Sequence, residues 1–266
     1  MRCFCACPGL LAMPHEYRRF IIAAALAGLA ASAGAERRPA VLELFTSEGC
    51  SSCPPAEQFI AELAQRRDVL PLSFHVDYWD DLGWRDRFSS AEATQRQRVY
   101  ARVLRRSSVY TPQAVIDGRL DIVGSERQAI TMALAAPREG VPVTIALTGS
   151  SIDVRVGLRP EAPAVGGPAD RGPADRGPAD RGPADVLMVG YLRQATSRIG
   201  RGENAGRTLQ ESNVVRSLQV LGAWNGAARD YQVASGSLPA EVTDVAVLVQ
   251  SGNQGLIFGA ATQSLR

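Results

Sequence analysis

Cys50 and Cys53 are the only cysteines beyond residue 35, and they frame the run Cys50-Ser51-Ser52-Cys53. An apolar strand-like stretch leads into this run and a helix-like stretch follows it, so the first sulfur falls at a helix N-terminus. Unpaired amide N–H groups and the helix dipole favour a thiolate there. Pro54 and Pro55 suit a first helical turn, where a missing N–H costs nothing. Ser51 and Ser52 can donate to the same sulfur. The spacing makes Cys50 the attacking thiol and Cys53, one turn further in, the resolving one. The plainer alternative is a structural staple. A ring this short removes only about 1.9 kcal/mol of unfolded-state entropy, and its position makes it easy to reduce.

Other residues can serve that pair. His75 is the sole histidine beyond residue 35. It suits a proton relay or a third ligand beside two thiolates, and also an ordinary hydrogen-bonded histidine at a strand end. The loop it opens carries Asp77, Tyr78, Trp79 and Asp80 towards the cysteines, with Trp79 and Trp84 equally suited to packing. Glu43 is a charge inside an apolar strand. It can take or give the Cys53 proton if buried, or reach solvent from a sheet edge. Thr111-Pro112 is an X-Pro bond between a helix and a strand. Seven arginines lie within residues 85–106. A solvated helix face accounts for them, as does steering of an acidic partner.

The elements that must position these residues follow from periodicity. Residues 41–46 and 69–76 read as buried strands and residues 54–66 as a helix. Ser89 is expected to cap a second helix whose apolar face carries Val99, Tyr100, Val103 and Leu104. A hairpin through Asp117-Gly118 and a helix capped by Ser125 complete a βαβαββα order, an α/β mixed sheet covered by helices. Beyond Gly140 the period changes to two, and successive strands suggest an all-β antiparallel sandwich-like domain. The expected organisation is thus 1–35, 36–140 and 141–266, with a low-complexity loop at 159–185. That loop holds the tandem Gly-Pro-Ala-Asp-Arg repeat from Gly167, to which no chemistry is assigned.

Arg18 and Arg19, an apolar run and Ala33-Gly34-Ala35 form an expected secretory signal, with Met13 a candidate true start. The apolar run is short for a membrane span. An exported protein is expected to be periplasmic or secreted, where paired thiols oxidise. The 266 residues contain no lysine, which excludes phosphate-loop and Schiff-base lysine chemistry. Acidic and basic residues balance beyond residue 35, leaving no general attraction for nucleic acid.

Thr111 to Gly118, with Gly124-Ser125 after it, resembles the proline-containing stretch of glutaredoxins. That resemblance to thioredoxin-like folds implies a cis Pro112 facing the cysteines and makes Thr111 the residue that docks an incoming peptide. Residues 42–56, Ser73-Phe74-His75-Val76-Asp77-Tyr78-Trp79, Leu82-Gly83-Trp84 and Arg201-Gly202-Glu203-Asn204-Ala205-Gly206-Arg207 resemble a secreted bacterial thioredoxin-like family, domain of unknown function 1223. The expected function is an exported thiol–disulfide oxidoreductase or redox carrier without a resident cofactor, acting on protein or small-molecule disulfides and thiols. Two alternatives stand beside it. One is a copper(I) metallochaperone using Cys50, Cys53 and His75; the other is a non-catalytic binding module on a thioredoxin-like scaffold.

Overall fold

The computed structural model of the protein describes residues 36–159 and 182–266. The expected signal and most of the pentapeptide repeat lie outside the described residues.

Branched and aromatic residues in β2 (Ala40–Thr46) and β3 (Val69–His75) are buried on both faces, as parallel strands between two covering layers must be. β4 (Gln113–Ile116) pairs antiparallel with β2, and β5 (Leu120–Val123) with β4. Asp117 and Gly118 both take positive φ to close that hairpin. Two-residue strands β1 (Glu36–Arg37) and β6 (Glu139–Gly140) pair apart from the main sheet.

Among the described residues, three helices cover these strands. α1 (Pro54–Leu63) begins on its two prolines and buries Ala56, Phe59, Ile60 and Leu63, a helical stripe, against one face of the sheet. α3 (Arg127–Leu134) packs on that same face through Ile130 and Leu134. Its N-cap is Glu126 rather than Ser125, and no side chain caps it. α2 (Ala91–Val103) covers the opposite face. Ser90 caps it by accepting from the Ala93 N–H, while Ser89 is drawn away to Asp80. The expected apolar face of α2 holds in part: Tyr100 is buried and Leu104 packs on the core, but Val103 is exposed. Arg96 and Gln97 are buried in addition, with Arg96 at 2.6 Å from Glu43.

β7 (Val143–Thr148), β8 (Ser151–Val156) and β11 (Arg229–Ala234) form a three-stranded antiparallel sheet. The remaining strands are β9 (Ala184–Arg198), β10 (Thr208–Trp224), β12 (Asp244–Ser251) and β13 (Ile257–Ser264). They were expected in a separate sandwich. Instead they extend the first sheet, giving eight strands in the order β13-β12-β9-β10-β3-β2-β4-β5. The join is parallel, with Val214 beside Ser73. Ser73 Oγ donates to Ser212 O at 3.0 Å, and the Asn213 side chain donates to Pro71 O at 2.8 Å. A two-layer packing survives, because Val186, Met188, Val245, Val247 and Val249 meet Ile152, Val154 and Val156 of the small sheet. The small sheet thus covers for the later strands the face that α1 and α3 cover for the earlier ones. The result is a mixed α/β sheet with few helices and a large all-β part.

Candidate functional site

β2 ends at Thr46, and the chain turns sharply before α1. The Cys50 N–H donates to Ser47 O at 3.1 Å, and the Cys53 N–H to Cys50 O at 3.2 Å. The N–H groups of Ala56 and Glu57 then converge on Cys53 O. This winding brings the cysteine Cα atoms to 5.4 Å, and the sulfurs are joined as a disulfide of 2.10 Å. Ser52 Oγ lies 3.4 Å from Cys50 Sγ. Ser51 and Ser52 are exposed, yet Cys50 and Cys53 are 0% and 1% accessible.

Two segments wall this turn. The Thr111–Pro112 bond is cis, as the glutaredoxin-like stretch implied. Ser52 Oγ donates to Thr111 O at 3.5 Å, so the expected docking residue lies beside the disulfide. Gly124 lets this segment close on α1, since a Cβ there would lie 2.9 Å from Pro112 and 3.3 Å from Ala56. Trp79 ties the pieces together. Its Nε1–H donates to Thr111 Oγ1 at 2.9 Å, and its Cβ presses on Gly49, where an added Cβ would be 3.3 Å away. The second wall is the 199–207 loop joining β9 to β10. Asn204 is fully buried and its amide donates to Glu48 O at 2.8 Å and to Cys50 O at 2.9 Å. Glu203 accepts from the Ser51 N–H at 3.3 Å.

Two expected auxiliaries are engaged elsewhere. Glu43 lies on the α2 face of the sheet, opposite α1, and both its oxygens are bonded, one by Arg96 and one by the Tyr100 hydroxyl. Asp77 accepts from Thr94 Oγ1 on α2.

His75 is buried on the α1 side and belongs to a cluster that the sequence reading missed. Its Nδ1–H donates to Asp86 at 2.6 Å, and that carboxylate also accepts from the Glu48 N–H at 2.9 Å. Burial alone would depress the His75 pKa, but the Asp86 charge and hydrogen bond, with Glu57 and Glu211, raise it to about 9. The imidazole is therefore cationic at neutral pH. Burial also works against the Asp86 carboxylate; the His75 charge and three hydrogen bonds outweigh it and lower its pKa. Glu57 follows Cys53 by one helical turn. Burial raises its pKa, which the His75 charge only partly offsets. Burial likewise raises Glu211 of β10 to about 8 despite His75, with Glu48, Glu57 and Asp86 adding repulsion. Five buried ionisable groups thus share one cation, and His75 Nε2, Glu48 Oε1, both Glu57 oxygens and Glu211 Oε1 have no hydrogen-bond partner. Favouring the protonated forms of Glu57 and Glu211 is what such a group can do chemically. Among the described residues no three His, Cys, Asp or Glu side chains are placed to hold a metal ion.

Asn204, Glu203, Glu57, Asp86 and Glu211 had no recognisable role in the sequence. The compact Arg201–Arg207 motif was visible, but Asn204 lies 154 residues along the chain from the Cys50 carbonyl it binds, and nothing local to either segment brings them together, as strand pairing does.

A family model described as a protein of unknown function, DUF1223, matches residues 41–250. A crystal structure of a protein from Agrobacterium tumefaciens is similar, with 29% identity and a TM-score of 0.70 over 88% of this chain and 97% of that one. HBP35 of Porphyromonas gingivalis shares the fold at 16% identity, with a TM-score of 0.57 over 87% of this chain and 76% of that one. No curated protein matches the chain. With a model match spanning the cysteine turn, both walls and all but one of the main-sheet strands, the chain belongs to the DUF1223 family.

Proposed function

We propose that the protein is an exported thiol–disulfide oxidoreductase or redox carrier built on a thioredoxin-like core. The observation that carries this reading is the position of the Cys50–Cys53 disulfide. It opens α1 and lies beside Thr111, within reach of the serine between the cysteines. A structural staple gains nothing from a helix N-terminus; a leaving or attacking thiolate does.

In the reducing direction the Cys50 thiolate attacks one sulfur of a substrate disulfide and displaces the other as a thiolate. Cys53 then gives up its proton and attacks Cys50 Sγ, which releases the second substrate thiol and restores the Cys50–Cys53 bond. The substrate gains two electrons and two protons, and a dithiol donor must return them to the protein. The reverse sequence oxidises a substrate dithiol and needs a disulfide acceptor. Thr111 would align an extended peptide at its backbone, and Trp79 would hold that segment against the cysteine turn. An oxidising compartment outside the cytoplasm suits the closed pair.

The test is equilibration of the folded protein with glutathione redox buffers, followed by trapping with a Cys53→Ser variant. The expected result is a reversible two-electron transition and a mixed disulfide on Cys50. A pair that never equilibrates with thiols, even after chemical reduction and reoxidation, would overturn the reading.

A further inference from the structure

A sulfur with no accessible surface cannot be attacked, because the incoming nucleophile must approach along the line of the S–S bond. Cys50 has none, although Ser51 and Ser52 beside it are exposed. The far end of the β9–β10 hairpin lies against this turn, with Asn204 on Cys50 O and Glu203 on the Ser51 N–H. We propose that the 199–207 loop is a removable cover over Cys50, latched by Asn204 and Glu203, and that thiol exchange proceeds only from a locally opened state. The proposal rests on the exchange reading given above.

The loop is built to move as one piece. Its hydrogen bonds are internal: Ile199 N–H to Arg207 O, Gly206 N–H to Ile199 O, Ala205 N–H to Gly202 O and Arg207 N–H to Asn204 O. Gly202 and Gly206 adopt positive φ, which lets it turn tightly without strain. Most of its residues are exposed; Ile199 at its base and the Asn204 side chain at its centre are the parts driven inward. The latches are few. Two are the Asn204 amide bonds to Glu48 O and Cys50 O, and one is the Glu203 bond to the Ser51 N–H. That N–H is among the first donors past the sulfur, so Glu203 occupies a position a bound substrate or a Cys50 thiolate would also use. Beneath the loop, Gly202 rests on Trp84, where an added Cβ would come within 3.0 Å of the Trp84 side chain. Trp84 Nε1 in turn donates to Glu48 Oε2 at 2.6 Å, so the cover and the cysteine turn meet on one residue. Releasing three hydrogen bonds uncovers the sulfur and leaves both long strands paired.

The experiment measures access apart from function. A water-soluble trialkylphosphine attacks Cys50 Sγ and displaces Cys53 as a thiolate. Water then takes the phosphorus to the phosphine oxide, leaving two thiols. The rate constant for folded wild type is compared with those of Asn204→Ala and Glu203→Ala, alongside the equilibrium constant with glutathione and the melting temperature. Expected is a rise of about tenfold for Asn204→Ala, as the loss of one or two hydrogen bonds implies, with the equilibrium constant within about threefold of wild type. Glu203→Ala, on the surface, should speed reduction by about threefold. Should Asn204→Ala not fold, Glu203→Ala decides with the wild type, whose rate in low urea should rise with a slope far smaller than that of global unfolding. Unchanged rates in the variants, an equilibrium constant that moves in step with the rate, or a urea slope matching global unfolding would each overturn the cover. Faster phosphine reduction with no exchange with glutathione in any form would remove the exchange reading and leave the cover standing.

Discussion

Two buried polar networks lie on opposite faces of the same sheet, and they are built to opposite rules. On the α2 face, Glu43 is bonded at both oxygens by Arg96 and Tyr100. Gln250 of β12 donates to the Tyr100 hydroxyl and accepts from Arg96, and Gln254 binds the Arg96 carbonyl. One anion meets one cation and every partner is supplied. On the α1 face, beneath the cysteine turn, Glu48, Glu57, Asp86 and Glu211 crowd around His75 alone, and five of their polar atoms are unpartnered. Both networks recruit a residue from the later strands, so distance along the chain does not separate them. Satisfaction does. A network that only holds the fold together can be completed; one left short of cations favours the neutral forms of Glu57 and Glu211, and Glu57 lies one turn beyond the disulfide.

The same Glu→Gln change should therefore behave differently on the two faces. Glu43→Gln leaves the Arg96 guanidinium buried without its counter-charge and should cost about 3–5 kcal/mol of unfolding free energy in urea titrations. A cost near zero would place both networks in one class. The next effect is on pH. His75 in the folded protein binds its proton more tightly than an ordinary histidine, so its contribution is complete below about 6.5 and lost as pH rises through about 9. Glu211 also holds its proton more tightly in the folded state, so stability falls further as pH rises from the ordinary carboxyl range through about 8. Melting temperature should decline steadily from mildly acidic pH to pH 9, and Glu211→Gln should flatten the part below pH 8. A profile rising with pH would reverse the assignment. The smallest effect belongs to Glu57→Gln. Burial pushes this carboxyl towards its neutral form, which an amide matches in shape, so the change should cost far less than Glu43→Gln, within about 1 kcal/mol.

How much of this could be read from the residues follows a physical line. The cysteine turn and its flanking strand and helix were legible because each is set by a local run with strong backbone preferences; the Thr111-Pro112 wall was legible through the resemblance to glutaredoxins. Glu43 was legible as an anomaly, but its answer, Arg96, is a charge on the helix that periodicity reads as solvent-facing. Periodicity weighs only hydrophobicity and gives no sign that a buried ion pair would hold Arg96 inside beside Tyr100. The alternation beyond Gly140 announced strands without saying which sheet they join. A strand's sequence fixes its two faces, not its neighbour at the edge, so β10 beside β3 was out of reach. The Asn204 latch and the Glu211 contribution depend on that pairing and were hidden with it.

The insertion of β10 against β3 has a consequence for dissecting the molecule. Cutting the chain after Gly140 would strip β3 of the neighbour at Val214 and leave a bare inner ladder of backbone donors and acceptors lined with Leu70, Leu72 and Phe74. Such an edge invites intermolecular pairing and aggregation. The cysteine-bearing portion is thus not a transplantable cassette: whatever reactivity it has was shaped, and is kept soluble, by the strands that follow it.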